Sequence, residues 1–204
     1  MERLLITICG RAGSKGFKNK NLKTFCERPL VYYSLSAAEL FSRARGDVRV
    51  DVCLNTDSEP LAALVAQKYP EVTYLPRQAE LGGDRVAKMA VIQDSLARME
   101  EKNACRYDYV MDLDITSPLR TAQDIRNAYE LMEARPDLDL VFSATEARRN
   151  PYFNMVRDQG DHIEKGIADV PGAAAFTARQ MAPAFYDVNA SIYVYRRAFF
   201  AGNT

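Results

Sequence analysis

LLITIC (Leu4–Cys9) passes directly into GRAGSKGFKNKN (Gly10–Asn21), and this junction decides the fold. The first stretch is an apolar run rich in branched side chains, which predicts a buried first strand. Its six residues are too few for a secretion signal or a membrane span. The second stretch contains glycines and cations but no acidic residue. A strand that leads into such a loop indicates an anion site at the carboxyl end of a parallel sheet.

Outward from this junction, apolar runs alternate with helical patterns. Further strands are predicted at 48–54, 72–75, 107–113 and 138–144. Helices are predicted from Pro29 to Phe41, from Ser58 to Tyr69, from Arg85 to Lys102, and from Thr121 to just before Pro136. This alternation predicts an α/β fold with a Rossmann-like, mostly parallel sheet that has helices on both faces.

The alternation stops after the strand at 138–144. The turn-forming residues 158–161 separate 152–157 from 162–165, which predicts a hairpin, and Ser191–Tyr195 predicts a late strand that returns to the sheet. We therefore divide the chain into an α/β core that carries the anion loop, an excursion and a return strand. These three parts are 1–146, 147–188 and 189–204.

The charge balance argues against two classes of partner. The sequence has 27 Lys and Arg and 27 Asp and Glu residues, so we expect neither a nucleic-acid nor a membrane partner. The four cysteines are widely separated, which predicts reduced thiols and a cytoplasmic protein. His162 is the single histidine, which excludes a multi-histidine zinc site and disfavours a Ser-His-Asp triad.

The loop after the first strand carries the chemistry of a phosphate site. Gly10, Gly13 and Gly16 let backbone N–H groups approach an anion closely. Arg11 can bind phosphate oxygens with two donors, and Lys15 and Lys20 supply point charges that would stabilise a departing pyrophosphate. The spacing is neither a Walker loop nor a dinucleotide fingerprint. A solvated basic surface loop therefore remains an alternative.

Residues Arg11–Gly16 with Lys20-Asn21-Leu22 resemble the signature of the acylneuraminate cytidylyltransferases, which activate sialic-acid-like sugars as CMP derivatives. The resemblance covers nearly the whole chain. It continues at Asn55–Asp57, at Arg77, Ala79–Leu81 and Asp84, at Thr116–Arg120, at Asn150–Phe153, at Arg179-Gln180 and at Asn189–Tyr193. Residues Arg148–Asn154, Tyr186-Asp187 and Asp114 look most like the bacterial branch that activates legionaminic acid.

The resemblance implies a reaction in which the C2 hydroxyl of a nine-carbon acidic sugar attacks CTP and releases pyrophosphate. It implies catalytic roles for Arg11, Lys15 and Arg179. The nucleotide would be bound by Arg11, Gly13, Ser14, Lys15, Lys20, Asn21, Arg77 and Lys88. The sugar would be bound by Asp114, Thr116, Ser117, Arg120, Gln180, Asn189 and Tyr193.

Three of these assignments have structural alternatives. Arg77 could be a surface charge, Lys88 could be solvated on its helix, and Arg120 could brace the helix that begins at Thr121.

A partial metal site is expected on the strand at 107–113. Asp112 and Asp114 share one face of it and could hold Mg²⁺ or another divalent cation, although one of them could instead cap the following loop. Relatives commonly have glutamine in place of Asp114. The family also carries a late D-x-D pair of metal carboxylates, and this sequence stops at Thr204 before any equivalent of that pair.

The resemblance also implies a homodimer formed through the excursion, with Arg148, Arg149 or Lys165 lining the partner's site. The sugar could be legionaminic, sialic or pseudaminic acid. Two alternatives remain for the function. One is a nucleotidyltransferase for an eight-carbon keto-acid sugar, and the other is a nonenzymatic CTP- or sugar-binding module.

Overall fold

The computed structural model describes residues 1–13, 17–83, 86–165 and 179–201. The helices are α1 (Leu30–Ala44), α2 (Glu59–Lys68), α3 (Lys88–Asn103) and α4 (Ala122–Ala134). The strands are β1 (Glu2–Gly10), β2 (Thr24–Phe25), β3 (Arg28–Pro29), β4 (Val48–Thr56), β5 (Thr73–Pro76), β6 (Tyr109–Leu113), β7 (Leu140–Glu146), β8 (Val156–Asp158), β9 (Ile163–Lys165) and β10 (Tyr186–Arg196).

Six of these strands form one sheet in the order β5-β4-β1-β6-β10-β7. β1 is parallel to both β4 and β6, β4 is parallel to β5, and β10 is antiparallel to β6. The predicted α/β fold with a mostly parallel sheet is therefore confirmed. Because β1, β4 and β6 run in the same direction, their carboxyl ends meet at one edge of the sheet.

Alternate residues of β1 enter two separate hydrophobic clusters. Leu4, Ile6 and Ile8 pack with the apolar sides of α1, α2 and α4. Leu5 faces the other way and packs with Ile92 and other residues of α3. This alternation is the period of two that a strand imposes, and it places helices on both faces of the sheet.

Two predicted helix starts are confirmed in detail. The Ser58 side chain accepts a hydrogen bond from the backbone N–H of Leu61 at the start of α2. Thr121 and Asp124 form a reciprocal capping box at the start of α4. Both caps depend on side chains close in sequence, which is why the local pattern predicts them well.

Other boundaries differ from the prediction. Val86 and Ala87 precede α3, whose first residue is Lys88, so the predicted start at Arg85 is wrong; Arg85 itself lies outside the described residues. The first arm of the hairpin is shorter than predicted, because Asn150 holds the next residues in a turn by accepting hydrogen bonds from backbone N–H groups. β10 begins at Tyr186 and is longer than the predicted strand.

The chain forms two compact units. The first contains residues 1–143 and 190–204, and the second contains residues 144–189. In the second unit, β8 and β9 form the antiparallel hairpin that the sequence predicts. All four cysteines are free thiols. None of the helices in the described ranges combines the length and apolar character needed to cross a bilayer.

Candidate functional site

The loop after β1 is held at both ends by polar side chains. Asn21, which is buried, donates from Nδ2 to the carbonyl oxygen of Arg11 at 3.1 Å. The backbone N–H of Ala12 donates to Asp57 Oδ1 at 2.6 Å. Gly13 adopts a φ of 68°, a left-handed conformation that glycine tolerates well. The predicted phosphate ligands Ser14 and Lys15 lie outside the described residues.

A cavity of about 280 Å³ opens at the carboxyl edge of the sheet, beside this loop. Its lining is rich in predicted nucleotide ligands, namely Arg11, Lys20, Asn21, Arg77 and Lys88, together with Asp114. A second cavity of about 380 Å³ is also lined by Arg11 and Asn21, and by Gly13. The described nucleotide residues therefore come together from three segments that are distant in sequence: the loop after β1, Arg77 and Lys88.

Arg77 is fixed by a buried network that the sequence does not predict. Its Nε donates to Asn55 Oδ1 and its Nη2 donates to the Asn55 carbonyl oxygen, both at 3.0 Å. Asn55 is fully buried, and its amide in turn donates to Asp94 and Ser95 at 3.1 and 3.0 Å. Arg77 is therefore an oriented, half-buried cation in the cavity wall and not a freely solvated surface charge.

Lys88 bridges the two candidate metal carboxylates. Its Nζ lies 2.5 Å from Asp112 Oδ2 and 3.3 Å from Asp114 Oδ2. Burial lowers the pKa of Lys88, but the charges of Asp112 and Asp114 outweigh this and raise the pKa above its ordinary value. Burial would likewise raise the pKa of Asp114, yet Lys88 and hydrogen bonds from Thr116 hold it below its ordinary value.

The other oxygens of the two carboxylates are engaged by hydroxyl and amide donors. Thr7 donates from Oγ1 to Asp112 Oδ1 at 3.0 Å. Thr116 donates to Asp114 Oδ1 from its backbone N–H at 2.7 Å and from its hydroxyl at 2.6 Å. Asp114 thus caps the loop that follows β6, as one of the alternatives anticipated. Thr7 was missed, although a single hydroxyl in the middle of an apolar strand was a usable signal.

These carboxylates can supply only part of a metal site. In the described ranges, no group of three or more Asp, Glu, His or Cys side chains is arranged to hold a metal ion. Asp112 and Asp114 offer one Oδ2 each to a divalent cation. Carboxylate oxygens suit Mg²⁺, which keeps several waters and takes further oxygens from phosphates. The pair fits such an ion on the condition that Lys88 gives up its position.

Arg120 braces the first unit and does not line either of the two cavities. Its Nη1 donates to the Ser191 carbonyl oxygen at 2.7 Å, and its Nη2 donates to Ser34 Oγ at 2.7 Å. Both nitrogens also reach the carbonyl oxygen of Asp114, at 3.2 and 3.3 Å. Burial lowers the pKa of Arg120 to about 10. Arg120 therefore ties the end of β6 to α1 and β10.

The remaining predicted sugar ligands fall in both units. Ser117 lies in the loop after β6, and Tyr193 lies opposite Asp112 on β10, stacked between Phe142 and Tyr195. The second unit contains Arg179, Gln180 and Asn189. Gln180 lines a cavity of about 360 Å³ within that unit, and Asn189 is exposed on β10. The side chain of Arg179 lies outside the described part of the structure.

Comparison with known proteins identifies the family. The profile of the family described as cytidylyltransferase matches residues 5–201. The chain is 38% identical over 203 residues to CMP-N,N'-diacetyllegionaminic acid synthase of Campylobacter jejuni. It is 37% identical over 203 residues to post-translational flagellin modification protein B of Campylobacter coli. Each match covers 100% of this chain and 81% of the relative.

The fold also matches a solved structure. CMP:2-keto-3-deoxy-manno-octonic acid synthetase, solved in complex with CTP, superposes with a TM-score of 0.66 over 99% of this chain and 77% of the other. At 16% identity this match supports the fold alone. The profile and the two sequence relatives show that the chain belongs to the cytidylyltransferase family of nucleotidyltransferases.

Proposed function

We propose that the chain transfers CMP from CTP to the C2 hydroxyl of a nine-carbon acidic sugar, with release of pyrophosphate, and that the sugar is a legionaminic acid. The observation that carries this proposal is the cavity in which Arg11, Lys20, Arg77 and Lys88 converge beside the glycine-bearing loop. A triphosphate is the ligand whose charge matches such a set of cations. The 38% identity to the legionaminic acid synthase supports the choice of sugar.

Positioning and charge stabilisation account for the catalysis. The sugar hydroxyl attacks the α-phosphorus of CTP, and the bond from this phosphorus to the pyrophosphate oxygen breaks. Arg11 and Lys20 stabilise the negative charge that builds up on the leaving pyrophosphate, and Lys15 is proposed to act with them. Arg77 is held by Asn55 in one orientation, so it directs its charge into the cavity without reorganisation.

A divalent cation such as Mg²⁺ is the proposed cofactor, with Asp112 and Asp114 as its ligands from this chain. When bound, it would neutralise phosphate oxygens and polarise the reacting phosphorus. Arg179, Gln180 and Asn189 are proposed to contact the sugar, and the second unit is proposed to form a homodimer. Its exposed apolar side chains support this interface: Val156 is 65% exposed, Ile163 is 67% exposed and Tyr186 is 65% exposed.

The test is pyrophosphate release measured with CTP, Mg²⁺ and, in parallel, legionaminic, sialic and pseudaminic acid. We expect turnover with CTP and the highest kcat/KM with legionaminic acid. Preferred turnover of sialic acid would refute the assignment of the sugar while leaving the cytidylyltransferase chemistry in place. Asn55→Ala is a useful companion variant, because it releases Arg77 without removing a charge and should raise KM for CTP.

An eight-carbon keto-acid sugar is the second candidate substrate. It is the alternative that the sequence leaves open, and it belongs in the same panel of sugars. Binding of CTP without release of pyrophosphate in the presence of any of the sugars would instead favour a nonenzymatic binding module.

A further inference from the structure

The buried carboxylate of Asp112 is stabilised by the cation next to it. Its side chain is 0% exposed, and Lys88 Nζ lies 2.5 Å from its Oδ2. No hydroxyl or amide of the described chain donates a hydrogen bond to this oxygen. A buried charge without a partner is strongly destabilising. Any ligand that draws Lys88 away must therefore bring a positive charge of its own.

Lys88 occupies the position that a metal ion would need. Asp112 Oδ1 and Asp114 Oδ1 already accept hydrogen bonds from Thr7 and Thr116. The two Oδ2 atoms remain for a cation, and both contact the Lys88 ammonium. A divalent cation and the ammonium therefore compete for the same pair of oxygens.

Lys88 is also placed so that it can leave. It is the first residue of α3, and its side chain is 39% exposed, whereas that of Asp112 is fully buried. A lysine at a helix amino terminus opposes the helix dipole, so the carboxylates and not the helix account for its position. The same side chain lines the cavity that contains Arg11, Lys20 and Arg77, where phosphate oxygens are proposed to bind.

We propose that Lys88 is an exchangeable cation. It holds Asp112 and Asp114 when no metal is bound, yields them to a divalent cation that enters with the triphosphate, and then pairs with phosphate oxygens in the cavity. The second half of this exchange rests on the proposed function, and the first half does not. Lys88 is on this view a positioning residue that keeps the metal ligands preformed.

The test is the binding of Mn²⁺ alone to the full chain, measured by the loss of the free-ion signal in electron paramagnetic resonance. Lys88→Met removes the competing charge and keeps the length of the side chain. We expect it to bind Mn²⁺ at least about tenfold more tightly than the unchanged protein, a difference of about 1.4 kcal/mol. Lys102→Met makes the same charge change at the exposed far end of α3 and should leave the affinity unchanged.

Two further measurements decide whether the effect arises at these carboxylates. Thermal unfolding of Lys88→Met should begin at a lower temperature without metal and recover in saturating Mn²⁺, which also shows that the variant folds. Adding Asp112→Asn to Lys88→Met should abolish the gain in affinity. Equal or weaker Mn²⁺ binding by Lys88→Met, or a gain that survives Asp112→Asn, overturns the proposal. Because neither CTP nor sugar is present, this result is independent of whether the chain turns over its proposed substrates.

Discussion

Gly10 packs tightly against the core at the start of the loop that follows β1. A Cβ atom at this position would lie 2.7 Å from Leu61 Cδ2 and 2.8 Å from Ile115 Cδ1, and both of those side chains are buried. It would also lie 3.3 Å from Asn21 Nδ2, the donor that holds the Arg11 carbonyl oxygen. Only a residue without a side chain fits here without displacing its neighbours.

We therefore expect Gly10→Ala to lower the free energy of unfolding by about 1–3 kcal/mol, the usual cost of overpacking a core. The variant should also bind CTP more weakly, because Asn21 must shift. Urea unfolding and CTP titration measure the two effects. Gly46→Ala is the matched control, since a Cβ at Gly46 meets no atom within 4 Å. A stable Gly10→Ala variant with unchanged CTP binding would show that the loop tolerates movement at its base.

At the scale of single residues, the sequence predicts which side chains make up the site better than it predicts which of them contact each other. The glycines and cations of the loop indicate an anion site, because their chemistry is local. The partners that orient those cations are distant in sequence: Asn55 for Arg77, and Asp112 with Asp114 for Lys88. No periodicity reports such pairs. The sequence suggests that Arg120 either binds the sugar or braces the helix that begins at Thr121, whereas its hydrogen bonds reach Ser34 on α1 and Ser191 on β10.

Among the elements, the starts of α2 and α4 were predicted from the side chains that cap them, whereas the start of α3, which has no such cap, was misplaced. Thr121 caps α4 through the backbone N–H of Asp124, and Asp124 accepts hydrogen bonds from the Thr121 N–H and hydroxyl at 2.8 and 2.7 Å. Ala87 precedes α3 with no side-chain hydrogen bond. The sequence therefore carries no local signal for the first residue of that helix.

The capping box should make stability depend on pH. Hydrogen bonds from Thr121 lower the pKa of Asp124 in the folded chain. The carboxylate therefore contributes stability above its unfolded pKa of about 3.9 and loses that contribution as the pH falls through the lower, folded value. We expect Asp124→Asn to cost about 1 kcal/mol or less at pH 7, since exposed charges are screened.

Urea unfolding of Asp124→Asn between pH 7 and pH 2.5 checks this expectation. The difference from the unchanged protein should shrink at the acid end. Glu130→Gln, which removes an exposed carboxylate from the same helix, serves as the control. A difference that stays constant with pH would mean that the Asp124 charge does not stabilise the cap.

For the whole molecule, the strand–helix alternation in the sequence predicts the parallel sheet. It does not predict the order in which the later strands pair within that sheet. β10 is inserted between β6 and β7 and runs antiparallel to β6. A late strand can join a sheet at an edge or between two strands, and its hydrophobic pattern is the same in both cases. The pairing of Tyr193 with Asp112 follows from this insertion and could not be predicted.

The proposed dimer is tested on the hairpin of the second unit. Val156 and Ile163 share one face of β8 and β9 and are 65% and 67% exposed. We expect light scattering to give a dimer for the unchanged protein and a monomer for the double variant Val156→Asp/Ile163→Asp. Leu40→Asp/Leu131→Asp, at exposed positions on α1 and α4, should leave the dimer intact. A monomeric unchanged protein at micromolar concentration would contradict the proposal.

The insertion of β10 has a consequence for vectorial synthesis. While the chain leaves the ribosome from its amino end, β6 has a partner on one side only, and β7 has no place in the sheet until β10 arrives. The backbone N–H of Asp114 also lacks its hydrogen-bond acceptor until then, because that acceptor is the carbonyl oxygen of Ser191 on β10. A nascent chain that already contains the loop after β1 therefore still exposes an unfinished strand edge. The carboxylate side of the candidate site is completed only when β10 joins the sheet, so a translation product that lacks β10 does not contain the finished site.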